Sequence, residues 1–125
     1  MSVTPGVQVS VDAVLEVRGR AVPAEVMDSA RARLRGLIGQ AGIGGALVLP
    51  RCRQVHTFGM RFDIDVAFCA SDGTVLRVIM LRPHRLSPVV WRSTFVVEAA
   101  AGAFARWPLR EGDTVRVRES ADHGE

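Results

Sequence analysis

The sequence predicts an α+β fold in which about seven short strands, mainly antiparallel and forming a sheet or a partly closed barrel, pack with one main α-helix and a second short helix. Three observations support this prediction. Short β-rich runs are bounded by turn residues, one stretch has apolar residues at helical spacing, and strand–helix–strand alternation does not repeat, which disfavours a doubly wound parallel sheet. The length of 125 residues fits a single compact domain, placed at residues 7–118, with a polar, frayed tail at 119–125.

The first third of the chain predicts β-structure followed by the main helix. Residues 7–18 alternate valine with polar residues and then continue as β-rich sequence, which indicates one bent strand or two short strands. Pro23 is placed in the first turn of the main helix, where its missing N–H leaves no backbone bond unmade. Glycines between residues 39 and 45 end this helix. Its apolar stripe consists of Met27, Ala30, Leu34 and Leu37.

Short strands joined by turns are predicted for the rest of the chain. Residues 64–68 alternate between two faces, and Ser71-Asp72-Gly73 predicts a hairpin turn into a partner strand at 75–81. The segment RPHRLSP, residues 82–88, is a loop bounded by prolines. The second short helix is expected over 102–107. Further strands are predicted at 46–49, 55–58, 94–99 and 114–118.

The charge pattern disfavours nucleic acid as a partner. The net charge is +3 and the pI is about 10, but all 16 basic residues are arginines, spread from Arg18 to Arg118 without forming one stripe. The aromatic residues do not interleave with the arginines as base-stacking platforms do. The sequence therefore favours a small molecule or a protein as the partner.

The N-terminal sequence, the length of the apolar runs and the number of cysteines together predict the cellular compartment. The N-terminus has no basic segment followed by an apolar one, so no secretory signal is read. No run approaches the roughly 18 apolar residues that a membrane helix needs. The two cysteines, Cys52 and Cys69, do not form a disulfide framework. A reduced, cytoplasmic protein without a membrane partner is therefore expected.

The segment VHTFGMRFDIDVAF, residues 55–68, concentrates polar and aromatic side chains and is the best candidate site. Cys52 and His56 have the chemistry of zinc ligands, but four extended residues separate their Cα atoms by about 13 Å. No second Cys/His pair lies nearby, since Cys69 belongs to an apolar strand. The sequence therefore indicates neither a metal site nor a cofactor.

A hydrolytic site is another interpretation of the same residues. Arg51 and Arg53 flank Cys52, and positive neighbours favour the thiolate form of a cysteine. His56 would act as the base, and Asp65 would orient it. The alternative is a half-buried cysteine at the start of a strand. Cys52, His56 and Asp65 are thus catalytic candidates on residue type alone.

Two acidic residues stand in strands that are otherwise apolar. Asp65 lies between Ile64 and Val66, and Glu98 ends the run FVVE. A buried carboxylate costs several kcal/mol unless it is paired and hydrogen-bonded, so Asp65 is expected to have a dedicated partner such as His56 or an arginine. Glu98 is expected either to be the buried partner of an arginine or to lie at the exposed end of its strand.

Several short motifs resemble those of the prokaryotic family catalogued as domain of unknown function 192. The match runs over roughly residues 12–118 and centres on HTFGMRF-x-ID, which is a specific motif. The resemblance implies a compact, strand-rich α+β domain of a bacterial protein, and it implies no established activity. The motifs are Arg35-Gly36-Leu37, LVLP at 47–50 with Cys52, VHTFGMRFDIDVAF, Asp72-Gly73, RPHRLSP, Val97-Glu98 with Gly102, and Gly112-Asp113.

The resemblance also implies which positions belong to the family signature. Asp63 departs from the family, which usually has a proline there, and it is therefore not treated as a site residue. Many members carry an export signal and none is read here, so the compartment need not follow the family. The matching signature positions are His56, Phe58, Met60, Asp65 and Glu98.

Three hypotheses for function remain open. The leading one is non-catalytic binding of a small ligand or partner where the segment from His56 to Asp65 meets the RPHRLSP loop, with an apolar wall and a few convergent polar groups. The second is a purely structural polar cluster that fixes strand register, with function in protein–protein interaction. The third is the small hydrolytic enzyme. The predicted ligand-binding residues are His56, Phe58, Met60, Asp65, Arg85 and Glu98.

Overall fold

Strands of one sheet make up nearly all of the regular structure. The structure, a computed structural model, describes residues 11–27 and 45–119. Within these ranges one short helix, α1 (Ala103–Arg106), lies between the last two strands. The strands are β1 (Val11–Val17), β2 (Arg20–Val26), β3 (Ala46–Pro50), β4 (Ile64–Cys69), β5 (Val75–Leu81), β6 (Phe95–Ala100) and β7 (Val115–Glu119).

The sheet is curved until its two edge strands meet. The strands are hydrogen-bonded in the order β5-β4-β6-β3-β2-β1-β7, and every neighbouring pair is antiparallel except β2 with β3. Thr74 and Thr114, which precede the edge strands, form a bridge, and the N–H of Val75 donates to the carbonyl oxygen of Asp113 at 2.8 Å. The sheet therefore closes on itself at one end.

Two side chains fasten the turn before β7 to the rest of the sheet. Farther along β5, the N–H of Val78 donates to Oε2 of Glu111 at 2.9 Å. Asp113 accepts hydrogen bonds from the guanidinium of Arg18 at 3.1 Å and from the N–H of Arg110 at 2.9 Å. The hydrogen bond from Arg18, followed by that from Arg110, holds the pKa of Asp113 below its usual value. The turn is thus tied both to β5 and to the hairpin of β1 and β2.

Apolar side chains form a layer on each face of the sheet. The inner core lies inside the curve and receives side chains from all seven strands and from α1. The outer core lies on the opposite face, over β3, β4 and β6. Because side chains alternate along a strand, β4 sends Ala67 and Cys69 into the inner core and Val66 and Phe68 into the outer core.

The segment that follows β6 packs against the inner core. Gly102 turns the chain at φ 96°, a conformation that glycine adopts without strain. Phe104 and Trp107 are then buried side by side, with ring centroids 5.4 Å apart. No helix within the two described ranges is long and apolar enough to cross a membrane.

The prediction of an α+β fold with a main helix is wrong, because the described ranges are nearly all sheet. Residues 20–26 form β2, which pairs with β1 through a turn at Arg18 and Gly19, both with positive φ. Pro23 therefore lies in a strand. Since β2 pairs with β3 only from Ala24 onwards, the missing N–H of Pro23 interrupts no bond to β3.

Most of the other predicted elements are confirmed to within one residue, namely the strands at 46–49, 64–68, 75–81, 94–99 and 114–118 and the short helix at 102–107. Residues 55–58 are not a strand, because only His56 makes a bridge, to Leu86. The expected helical positions Ala30, Leu34 and Leu37 lie outside the described residues, and so does the tail after Glu119.

Candidate functional site

Two long loops pair with each other and cover the outer core. Residues 51–63 connect β3 to β4, and residues 82–94 connect β5 to β6. They run antiparallel, and together they are called the paired loops below. Val55 and Met60 are their buried contributions to the outer core. The backbone bonds that join them are Thr57 N–H to Arg85 O (2.9 Å), His84 N–H to Thr57 O (2.9 Å), Ser87 N–H to Val55 O (2.9 Å), Val90 N–H to Arg53 O (2.9 Å) and Cys52 N–H to Thr94 O (3.1 Å).

Thr57 is the main polar anchor of the paired loops. Its side chain is fully buried. The hydroxyl accepts a hydrogen bond from the N–H of Arg85 at 2.9 Å and donates to the carbonyl oxygen of Arg82. Its own carbonyl oxygen accepts from the N–H groups of His84 and Met60. Sequence reasoning missed this residue, because a threonine between two ring side chains gives no sign of how many backbone groups it satisfies.

Serine hydroxyls anchor the other half of the paired loops. Ser87 Oγ accepts from the N–H of Val55 at 3.0 Å and donates to the carbonyl oxygen of Pro88 at 2.8 Å. Ser93 Oγ donates to the carbonyl oxygen of Cys52 at 2.7 Å. Both serines are buried. These buried hydroxyls therefore hold the backbone of the paired loops from the inside.

Two imidazoles flank the tight turn at Phe58 and Gly59. Nδ1 of His56 accepts from the N–H of Phe58, and Nδ1 of His84 accepts from the N–H of Gly59, both at 3.3 Å. Because Nδ1 is the acceptor in each ring, the neutral imidazole carries its proton on Nε2. His84 holds this position with φ 61°, an uncommon conformation for a residue other than glycine. The turn thus fixes the tautomer of both rings.

The outer surface of the paired loops is partly apolar. The ring of His56 stacks on that of Phe58 with centroids 4.9 Å apart, and Leu86 lies directly opposite His56 in the bridge between the loops. Phe58 is 50% exposed and Leu86 is 58% exposed. Farther along the second loop, Val89 is 36% exposed and Trp91 is 75% exposed. Exposed side chains of this size in one region are typical of an interaction surface.

The paired loops also collect the positive charge of the chain. They contain six arginines and a single carboxylate, Asp63, whereas the rest of the chain has ten arginines and twelve carboxylate side chains. All six are exposed. Within residues 11–27 and 45–119, none of the six forms an ion pair with a carboxylate, and the salt bridges lie elsewhere, at Arg18–Asp113 and Arg118–Glu16. The six are Arg51, Arg53, Arg61, Arg82, Arg85 and Arg92.

Asp65 belongs to the other face of the sheet. Its Oδ2 accepts hydrogen bonds from the N–H groups of Gly102 at 2.9 Å and Phe104 at 3.1 Å. Its neighbours Ile64 and Val66 point into the outer core, so Asp65 points away from the paired loops. Its dedicated partner is the backbone at the start of α1, and it holds that segment on β4.

Glu98 and Met60 lie beneath the paired loops instead of on their surface. Glu98 is fully buried and is paired in register with Leu47 on one side and Val66 on the other, both of which belong to the outer core. Met60 is 6% exposed and packs in the same core. Of the predicted ligand-binding residues, His56 and Phe58 stack on each other, and Arg85 is exposed on the facing loop.

The structure separates Asp65 from the other two catalytic candidates, Cys52 and His56. Cys52 is half-buried, and its thiol donates to the carbonyl oxygen of Gln54 at 3.3 Å. Asp65 points to the opposite face of the sheet from the paired loops that carry Cys52 and His56. The other cysteine, Cys69, is buried in the inner core, and burial raises the pKa of its thiol to about 12.

Metal-ligating side chains do not cluster in the two described ranges either, since no group of three or more His, Cys, Asp or Glu side chains there could hold a metal ion.

The sequence matches one known protein family over most of its length. Residues 8–117 match the family of domain of unknown function 192, described as "Uncharacterized ACR". The chain belongs to this family. In this DUF192 protein, the first part of the signature segment lies in one of the paired loops, and the RPHRLSP motif lies in the other. No curated protein matches the sequence.

Two solved structures are similar to this DUF192 domain. One is a protein of unknown function from Novosphingobium aromaticivorans DSM 12444, with a TM-score of 0.64 and 16% identity, over 86% of this chain and 84% of that chain. The other is described as a putative transcription regulator from Sinorhizobium meliloti 1021, with a TM-score of 0.66 and 19% identity, over 88% of this chain and 95% of that chain. At these identities the likeness shows a shared fold.

Proposed function

We propose that this domain is a non-catalytic binding module that holds an anionic partner on the outer surface of the paired loops. The observation that supports this proposal is the separation of charge. The paired loops carry six exposed arginines against Asp63, while the remainder of the chain has more carboxylates than arginines. Such concentrated positive charge attracts anions over long range and orients them on approach.

The chemistry of the surface fits recognition of carboxylate or phosphate groups. The guanidinium of arginine presents paired N–H donors that match both anions. His84 adds an Nε2 donor, because its Nδ1 already accepts from Gly59. Phe58 and Leu86 lie within the same surface and would supply apolar contact. The buried hydroxyls of Thr57 and Ser87 hold the backbone in place beneath these groups, as a preorganised site requires.

The shape of the surface favours a large partner over an enclosed small molecule. Ligand pockets are concave and bury most of their ligand. Here the apolar side chains protrude, with Phe58 and Leu86 at least half exposed. One structure that shares this fold is described as a putative transcription regulator, so nucleic acid is one of the polyanions to be tried.

Heparin, a soluble polyanion, is the probe for testing the proposal. Binding of the full chain to heparin is measured at increasing salt concentration. We expect the double variant Arg82→Gln/Arg85→Gln to bind more weakly, with a salt dependence that is lower by roughly one charge for each arginine that contacts the polyanion. Both residues use their backbone groups to hold Thr57, so changing the side chains leaves the loop anchor in place.

The matched control is Arg77→Gln/Arg116→Gln, which removes the same charge from exposed positions on β5 and β7. If the loop and control variants lose equal affinity, heparin senses only net charge and the proposal fails. Thermal unfolding of both variants checks that the fold is unchanged.

A further inference from the structure

We infer that the anionic partner is a phospholipid surface, with the paired loops lying at the level of the lipid headgroups. This inference rests on the proposed function and names the class of partner. Apolar side chains accompany the arginines on the paired loops. In residues 11–27 and 45–119, six large hydrophobic side chains are exposed, and four of them are on the paired loops: Phe58, Leu86, Val89 and Trp91.

These four side chains have the composition of a membrane-interface segment. Tryptophan prefers the boundary between headgroups and acyl chains. Leucine, valine and phenylalanine gain free energy when that boundary removes them from water. Arginine side chains can extend past an apolar surface and place their charge among the phosphates. No membrane-spanning helix is needed for this mode of binding, so the lack of a long apolar run in the sequence does not bear on it.

Single-stranded nucleic acid fits the same surface less well. Binding of bases requires flat rings with open faces along a positively charged groove. One face of the Phe58 ring is already covered by His56 at 4.9 Å. Leu86 and Val89 are aliphatic and offer no ring for stacking. Three of the four apolar side chains therefore contribute little to base recognition, Trp91 being the exception, whereas all four contribute to partition into an interface.

The distribution of charge gives the domain one orientation on such a surface. The paired loops are positive, and the rest of the chain is negative overall, with ten arginines and twelve carboxylate side chains. An anionic membrane attracts the first region and repels the second. The tip at Phe58 and Gly59 and the segment from Leu86 to Trp91 would then face the lipid together, because Thr57 and Ser87 fix one loop against the other.

The test is co-sedimentation of the full chain with sucrose-loaded vesicles, together with tryptophan fluorescence. One set of vesicles is phosphatidylcholine alone, and the other contains roughly one third phosphatidylglycerol as the anionic lipid. We expect binding to the anionic vesicles only, weakened by salt. Trp107 is 5% exposed and Trp91 is 75% exposed, so a blue shift of the emission on binding would report Trp91. The variant Trp91→Phe should bind but lose the shift.

Paired variants distinguish insertion of the paired loops into the lipid from nonspecific adsorption of the protein. We expect Trp91→Ala to lower the partition coefficient by about tenfold or more, which corresponds to one large side chain left in water. Val89→Ser should weaken binding, whereas Val11→Ser on β1 should not, although the two valines are 36% and 38% exposed. Arg82→Gln/Arg85→Gln should lower binding by roughly tenfold or more.

The outcomes separate the lipid inference from the proposed function. If a fluorescent oligothymidine or heparin binds in a manner that depends on Arg82 and Arg85 while anionic vesicles do not bind, the lipid inference is overturned and the proposed function stands. Equal binding to the two kinds of vesicle, or binding unaffected by Trp91→Ala, also overturns the lipid inference. If vesicles, oligothymidine and heparin all fail to bind, both proposals fall.

Discussion

The two faces of β4 are covered in different ways. On the inner face, Asp65 binds the N–H groups of Gly102 and Phe104, so the polar anchor is fully directed to the protein's own backbone. On the outer face, Thr57 anchors the paired loops from below, while Phe58 and Leu86 on the same loops stay exposed. The inner layer, formed by residues 102–107, only covers the inner core. The outer layer, formed by the paired loops, covers the outer core and also presents an exposed surface.

This difference assigns separate roles to neighbouring residues of one signature segment. Thr57, Met60 and Asp65 hold the fold, whereas His56 and Phe58 lie at the surface. The structural hypothesis therefore applies to the three anchoring residues, and the binding hypothesis applies to the two surface residues. Substitutions can separate the two roles, because an anchor should change stability and a surface residue should change binding.

The largest expected effect is on the anchor of the outer layer. Thr57→Val keeps the shape of the side chain but leaves the N–H of Arg85 and the carbonyl oxygen of Arg82 without the hydroxyl. We expect a loss of about 2–4 kcal/mol in the free energy of unfolding, measured by chemical denaturation. Thr94→Val, at an exposed position of the other paired loop, is the control. Equal stability of the two variants would show that the hydroxyl does not hold the loops.

The next effect concerns the anchor of the inner layer. Asp65→Ala removes the acceptor for two backbone N–H groups and should cost about 1.5–3 kcal/mol. Heparin binding per folded molecule should stay as in wild type, because Asp65 points away from the paired loops. Asp63→Ala is the control for stability only, since it removes the same charge two residues earlier, Asp63 makes no side-chain hydrogen bond within the described ranges, and its loss should strengthen heparin binding. A variant that folds normally but loses binding would place Asp65 in the site after all.

A smaller effect on stability is expected at His84, together with a clear effect on binding. His84→Gly and His84→Ala both remove the imidazole, but only glycine adopts φ 61° without strain. We expect both variants to bind heparin more weakly, and the glycine variant to be the more stable by roughly 1 kcal/mol. Denaturation and heparin titration of the pair measure this. Unchanged heparin binding in both would exclude the imidazole from the surface.

The smallest expected effect is a difference in thiol reactivity between the two cysteines, which leaves the fold intact. Burial raises the pKa of the Cys69 thiol to about 12, so this thiol is almost entirely neutral, and hence unreactive, near pH 8. At about pH 8, iodoacetamide should therefore label Cys52 on the outer layer and spare Cys69 in the inner core. Mass spectrometry reads the sites, and protein unfolded in urea is the control in which both react. Labelling of Cys69 in folded protein would mean that the inner core opens.

Local patterns in the sequence predict most of the strands, but they do not predict β2 or the turn that joins it to β1. Strands such as β4 alternate clearly, and the turn at Ser71-Asp72-Gly73 leads into its partner. β2 was missed, because Pro23 fits the start of a helix as well as a strand segment that has no partner on one side. The two residues Arg18 and Gly19 between two valine-rich runs were the available sign of a hairpin.

The sequence predicts that the segment from His56 to Asp65 meets the RPHRLSP loop, but it does not reveal the concentration of arginines there, because these residues are distant in sequence. Arg51, Arg53 and Arg61 lie in one loop, and Arg82, Arg85 and Arg92 lie about thirty residues later. Along the chain they are dispersed, and only the pairing of the two loops gathers them. Similarly, Asp65 was expected to need a partner, but its partner is a backbone segment after β6, which residue types do not reveal.

The bond between Glu111 and Val78 also affects how molecules of this protein meet each other. A sheet edge with unused N–H and C=O groups can recruit a strand from another molecule and so begin aggregation. Here β5 and β7 face each other, and beyond their bridge the Glu111 carboxylate occupies the position where the next strand would accept from Val78. A carboxylate offers no N–H in return, and its charge must be displaced before another chain can pair there. A contact that fastens a turn thus also protects the protein from self-assembly through its edges.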